Sequence, residues 1–149
     1  MINDLIGKIR VTANRWGEVL EPEASKVELQ GFTEKFKTKF GLEVPIQYEI
    51  FLKLVNGLEF NGLIIYGTKN SDNDPDASML DIFEMNKIFN DSLMFNRLNV
   101  IAIGEDSSGL ITYDKDTKKF QYRDRIGLDR VEQFSSFDEM LSVEIEKVI

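Results

Sequence analysis

An α+β domain is expected from three features of the chain. Its first half places apolar residues at helical spacing behind recognisable caps. Its last third runs short apolar stretches between polar turns, and a second capping box opens one more helix near the end. The 149 residues suffice for one hydrophobic core, burying roughly 68–70% of the unfolded chain's surface. A single domain over residues 1–149 is therefore expected, and 42% apolar with 30% charged residues is an ordinary globular balance.

The elements follow in order. Ile2, Leu5, Ile6, Ile9, Ala13 and Trp16 recur on one face of a helix over residues 2–16, with Asn3 or Asp4 as its cap. Gly7 weakens that helix by about 1 kcal/mol relative to Ala, so docking must hold it. Ser25 and Glu28 form a capping box ahead of Leu29, Phe32, Phe36 and Phe40. Lys37 and Lys39 occupy the last turn, where the macrodipole favours cations, and Gly41 supplies a left-handed stop. Pro45 falls in the first turn of a third helix, where no backbone N–H is needed. Tyr48, Phe51, Leu52 and Val55 form its apolar face, and Asn56-Gly57 ends it.

After Gly62 the pattern changes. Residues 63–66 read as a buried strand closed by Gly67, residues 68–77 as a polar surface loop, and residues 80–90 as a shorter helix. Strands at 100–104, 110–113 and 120–123 are joined by the turns Asp106-Ser107-Ser108-Gly109 and Asp114-Lys115-Asp116-Thr117, and a short strand at 130–133 extends this meander. Ser136 and Glu139 cap a final helix with Phe137, Met140, Leu141, Ile145 and Val148 on one face.

Composition narrows the chemistry. The chain has no His and no Cys, which excludes disulfides, thiolate metal sites, Ser-His-Asp triads and imidazole proton shuttles. Asp72-Asn73-Asp74-Pro75-Asp76 begins like a calcium loop, but Ala77 and Phe83 stand where Gly and Glu are required. Gly57 and Gly62 have phosphate-loop spacing, yet Leu63-Ile64 replaces the essential Lys-Ser/Thr pair. Ser107 and Ser108 lack both a base and a nucleophile elbow. No catalytic, cofactor-binding or metal site is therefore expected, and no enzymatic activity. Paired carboxylates alone leave a glycosidase open by composition, without pointing to one. Trp16, Tyr48 and Tyr66 lie on apolar faces and are expected in the core.

The formal charge is −8 with a sequence pI of about 4.6. Such a balance opposes nucleic-acid binding and suits a cationic partner, while solubility alone also accounts for it. Apolar runs such as residues 63–66 and 100–103 fall far short of the roughly 18 residues of a membrane span. The amphipathic start carries no signal-peptide pattern, so a cytoplasmic location is expected.

A family resemblance sharpens this reading. Gly41, Leu42, Pro45, Tyr48, Phe51, Leu52, Asn56 and Gly57 occur in an order that resembles the N-terminal signature of the SUKH superfamily. Asn99 to Asp106, then Ser108-Gly109-Leu110 and Tyr113-Asp114, are similar to its strand–turn–strand meander, and Ser136 to Glu139 to its closing segment. Among subgroups the chain looks most like bacterial YrhA-type members. The turn departs from the commoner Asp-Gly form, and the Asp-rich loop at 70–77 has no counterpart.

The resemblance implies helices packed around a curved, mainly antiparallel sheet. It also implies an immunity-type protein that binds and neutralises a cognate toxin, in many cases a nuclease, by occlusion. The alternative it carries is a regulatory or adaptor module with a non-toxin partner, as in fungal relatives. On the first reading the partner is a protein toxin with a basic surface. The acidic loops then supply the contacts, with Asp72, Asp74, Asp76, Glu105 and Asp106 as the expected partner-binding residues.

Overall fold

The computed structural model describes residues 1–71 and 81–149. Helix α1 (Ile2–Arg15) buries Ile2, Leu5, Ile6, Ile9 and Ala13, as their spacing requires. Its cap is Met1 rather than Asn3 or Asp4, which fall inside the first turn, and no side chain caps it. Trp16 is 52% exposed and not a core residue. It lies beyond the end of the helix, and one ring face stacks on Phe60 at 5.2 Å while the rest meets solvent.

Helix α2 (Lys26–Phe40) has the expected capping box, in which Glu28 N–H donates to Ser25 Oγ and Ser25 N–H to Glu28 Oε1. Gly41 ends it at φ +74°, a conformation that costs a side chain about 1 kcal/mol or more. Helix α3 (Ile46–Leu52) starts after Pro45, which takes the extended cap position instead of the first turn. Its buried Tyr48 donates a hydroxyl hydrogen bond of 2.6 Å to the Tyr66 carbonyl, tying the helix to the sheet. At the motif's end, Asn56 bonds Thr68 twice and donates its N–H to Pro22 O, so Asn56-Gly57 joins three chain segments.

The sheet is a six-stranded antiparallel meander, with every neighbour consecutive in sequence. It comprises β1 (Leu58–Phe60), β2 (Leu63–Ile65), β3 (Val100–Glu105), β4 (Gly109–Asp114), β5 (Phe120–Asp124) and β6 (Arg130–Phe134). Strand β1 is additional to the sequence expectation. Its turn is Asn61-Gly62 with φ of +47° and +87°, the pairing that a two-residue hairpin favours. Between β2 and β3 the chain forms α4 (Ile82–Asn90) and the unexpected single turn α5 (Leu93–Asn96), which Ser92 caps. Helix α6 (Phe137–Glu146) closes the fold against α1, α3, β5 and β6. Its capping box is displaced: Ser136 accepts from Glu139 N–H, but Glu139 reaches Ser135.

Helix α4 docks on the sheet through buried Ile82, whose N–H donates to Gly67 O at 3.1 Å, and through the buried amide of Asn86. Asn86 donates to the Ala102 carbonyl at 2.9 Å and to Ile82 O at 2.8 Å, and its Oδ1 accepts from Ala102 N–H at 2.8 Å. Strand β2 pairs with β3 only at Gly104 and Glu105. Asn86 therefore satisfies backbone groups of β3 beyond the end of β2, beside the bulge between Ala102 and Gly104. Gly104 is needed there, because a Cβ would lie 2.3 Å from Ile64 O.

Candidate protein-binding surface

Two turns lie side by side at one end of the meander. The β3–β4 turn is residues 105–109, and the β5–β6 turn is residues 124–129. Arg125 N–H donates to Ser108 O at 3.1 Å, and the Arg125 guanidinium donates to Asp106 O at 2.7 Å. Asp106 Oδ1 accepts from Ser108 N–H, Gly109 N–H and the Tyr122 hydroxyl at 2.9, 2.8 and 2.6 Å. Glu105 accepts from the Tyr66 hydroxyl and pairs with Arg125 at 3.3 Å. Burial raises both phenols above the usual tyrosine range, reinforced at Tyr66 by Glu105 and at Tyr122 by Asp106. Both therefore stay protonated as donors. Here the acidic side chains build the turn itself, with the Ser107-Ser108-Gly109 turn wrapped around Asp106.

Beside them opens a groove of about 240 Å³, lined by Phe89, Met94, Phe95, Arg125, Ile126 and Leu128 among others. Its rim is apolar and exposed: Ile126 is 89% exposed, neighbouring Leu93 67% and Met94 53%. Of the five residues expected from sequence, Glu105 and Asp106 meet at this turn end. Asp72, Asp74 and Asp76 lie outside the described residues. The apolar rim was missed by sequence reasoning. Its signal was present in Ile126, a large apolar residue inside the polar turn 124–129, and in Leu93-Met94 directly after a helix cap.

Among the described residues, no group of three or more Asp or Glu side chains is placed to hold a metal ion, and no helix is long and apolar enough to cross a membrane. Gly57 and Gly62 both take positive φ, and they bracket the hairpin strand β1 rather than a phosphate loop.

The family model described as SMI1-KNR4 cell-wall, SUKH_6, matches residues 32–125. The chain belongs to the SUKH superfamily. No curated protein matches it. In this SUKH domain the signature residues are structural. Tyr48, Phe51 and Leu52 are buried, Asn56 staples Thr68, and Gly57 at φ +92° lies so close to Gly67 that a Cβ would come within 3.0 Å of its backbone nitrogen. SUKH domains are in general immunity or regulatory modules without a catalytic role. The turn-end surface of this one offers shape, apolar area and charge, the elements of a protein interface.

Proposed function

We propose that this SUKH domain is an immunity-type binding protein, of the bacterial YrhA-type subgroup. It occludes the active site or substrate groove of a cognate toxin by shape and charge, and carries out no reaction of its own. The observation that carries this reading is the exposed apolar rim of Ile126, Leu93 and Met94 beside internally tied carboxylates. Apolar anchors within a polar border are where binding energy concentrates. The charge of −8 supports a partner with a basic surface, such as the substrate groove of a nuclease, against which acidic residues stand in for phosphate. Asp72, Asp74 and Asp76, with Glu105 and Asp106, are the proposed acidic contacts. A cytoplasmic location belongs to the same reading, since the toxin is met inside the cell it attacks. A regulator with a non-toxin partner is the second reading, favoured by the cell-wall description of the matching family.

Co-expression with a toxin encoded immediately upstream of the gene tests the proposal. The protein is expected to rescue growth. Met94→Asp combined with Ile126→Asp is expected to abolish rescue while circular dichroism stays native. A toxin that kills equally well with and without the protein moves the chain to the regulator reading. Replacing Asp72, Asp74 and Asp76 together by Asn should slow association and flatten its salt dependence. Unchanged kinetics would discard the loop contacts.

A further inference from the structure

A second groove, of about 600 Å³, runs between α2, α4 and the β4–β5 turn, and its charge is opposite to that of the chain. Lys35 and Lys39 come from α2, Lys87 from α4 and Lys115 from the turn, against Glu84 and Asp91 on the rim. Among the described residues, none of the four ammonium groups lies within ion-pair distance of a carboxylate. Three lysines outside the groove are paired, Lys37 with Glu43 at 2.9 Å, Lys69 with Glu28 at 2.8 Å and Lys147 with Glu132 at 2.8 Å; what sets the groove apart is that its four lysines line one cavity. Four lysines against two carboxylates leave the groove net positive, in a chain whose net charge is −8.

The floor beneath these lysines is built. Phe40 and Phe83 stack at 5.7 Å with 15° between their planes, joining α2 to α4. Lys35 Nζ lies 4.5 Å from the centre of the Phe83 ring, and Lys115 Nζ lies 5.8 Å from that of Phe40. Cation–π contact fixes two of the ammonium groups in place, which reduces the ordering cost when an anion arrives.

We propose that this groove docks an acidic peptide segment of a protein partner, with Asp or Glu carboxylates received by Lys35, Lys39, Lys87 and Lys115. Single-stranded nucleic acid fits less well. Binding of that kind relies on open aromatic faces for its bases, whereas each of these rings already has a neighbouring ring and a lysine against it. Glu84 and Asp91 on the rim would also repel a regularly charged backbone, while a peptide can place neutral residues beside them. The site goes beyond the immunity reading, which calls on a basic partner surface, and its test does not depend on a toxin.

The probe is a fluorescein-labelled peptide of about a dozen residues alternating Glu with Leu, titrated into the full chain and followed by anisotropy. An oligonucleotide of matched length is the comparison. The peptide is expected to bind despite the negative net charge, more tightly than the oligonucleotide, with affinity falling as salt rises from about 0.05 M to about 0.5 M. Lys39→Glu with Lys87→Glu should weaken it about tenfold or more, each reversal replacing an attraction by a repulsion. Lys8→Glu with Lys53→Glu makes the same change in net charge on other surfaces and should alter affinity by less than about twofold. The assignment is overturned if the peptide fails to bind, if the oligonucleotide binds more tightly, if both double variants lose affinity equally, or if Lys39→Glu with Lys87→Glu has no effect.

Discussion

The two surfaces treat charged and apolar groups in opposite ways. At the turn end the charges are spent internally: Glu105 on Tyr66 and Arg125, Asp106 on two backbone N–H groups and Tyr122. Both carboxylates stay half-buried at the surface, and the open rim beside them is apolar, with Ile126, Leu93 and Met94 facing solvent. In the groove the aromatic groups are spent internally, Phe40 on Phe83, and what lines the opening is charged, four lysines against Glu84 and Asp91. The two adjoin at the end of α4, where Phe89 and Ser92 line the first and Asn90 and Asp91 the second. An interface of the first kind gains affinity mainly by excluding water and is tuned through dissociation. One of the second kind acts through charge and responds to salt.

The largest effect comes from breaking what the surfaces share. Helix α4 supplies Phe89 to one and Phe83 with Lys87 to the other, and buried Asn86 holds it to β3. Asn86→Ala leaves the Ala102 N–H and carbonyl without those partners in a buried position. Each such group costs about 1–3 kcal/mol, so a loss of about 3 kcal/mol in urea unfolding is expected. Binding at both surfaces should weaken together. A variant of native stability would show that Asn86 does not fasten the helix.

Much of the fold was legible because its signals are local. The Ser25–Glu28 box, the Gly41 stop and the polar turns of the meander each act within a few residues, and all are realised. The β1–β2 hairpin went unread despite its Asn61-Gly62 turn, because its strands are only three residues long, too short to show an alternation. Trp16 misled because helical periodicity runs past the residue at which the helix stops. The candidate surfaces were harder to read. Acidity is visible in sequence, but whether a carboxylate is open or already bonded depends on partners 16 to 39 residues away, such as Tyr122 for Asp106 and Tyr66 for Glu105. The lysine groove joins residues from three elements and leaves no pattern along the chain.

A pair of single substitutions sharpens the contrast at intermediate size. Ile126→Ala should speed dissociation of the turn-end partner about tenfold, the scale of a truncated apolar anchor, and leave the acidic-peptide affinity unchanged. Lys87→Glu should do the reverse, with its effect shrinking at high salt. Surface plasmon resonance for the partner and anisotropy for the peptide read both arms. If either substitution moved both ligands, the surfaces would be coupled rather than separate.

The smallest effect concerns the backing of the turn end. Glu144 on α6 is buried, its Oε1 is paired with Lys147 at 3.0 Å, and its Oε2 has no hydrogen-bond partner among the described residues. Lys147 also pairs with Glu132 and lies 4.4 Å over the ring of Tyr122, whose hydroxyl holds Asp106. Burial pushes the Glu144 carboxyl above the usual carboxylate range; Lys147 offsets part of this, while Asp106 and Glu132 add to it. The folded protein therefore keeps this proton to higher pH than the unfolded chain, whose glutamates titrate near ~4.3. Stability falls as pH rises from that value through the folded one, because ionisation is resisted only in the folded state. Glu144→Gln removes this falling limb, so the variant should gain stability relative to the wild type between about pH 4 and pH 7. Urea midpoints across that range measure the difference. Parallel profiles would mean that Glu144 ionises in the folded protein as readily as in the unfolded chain, and the turn end would then have no pH-sensitive support behind Tyr122.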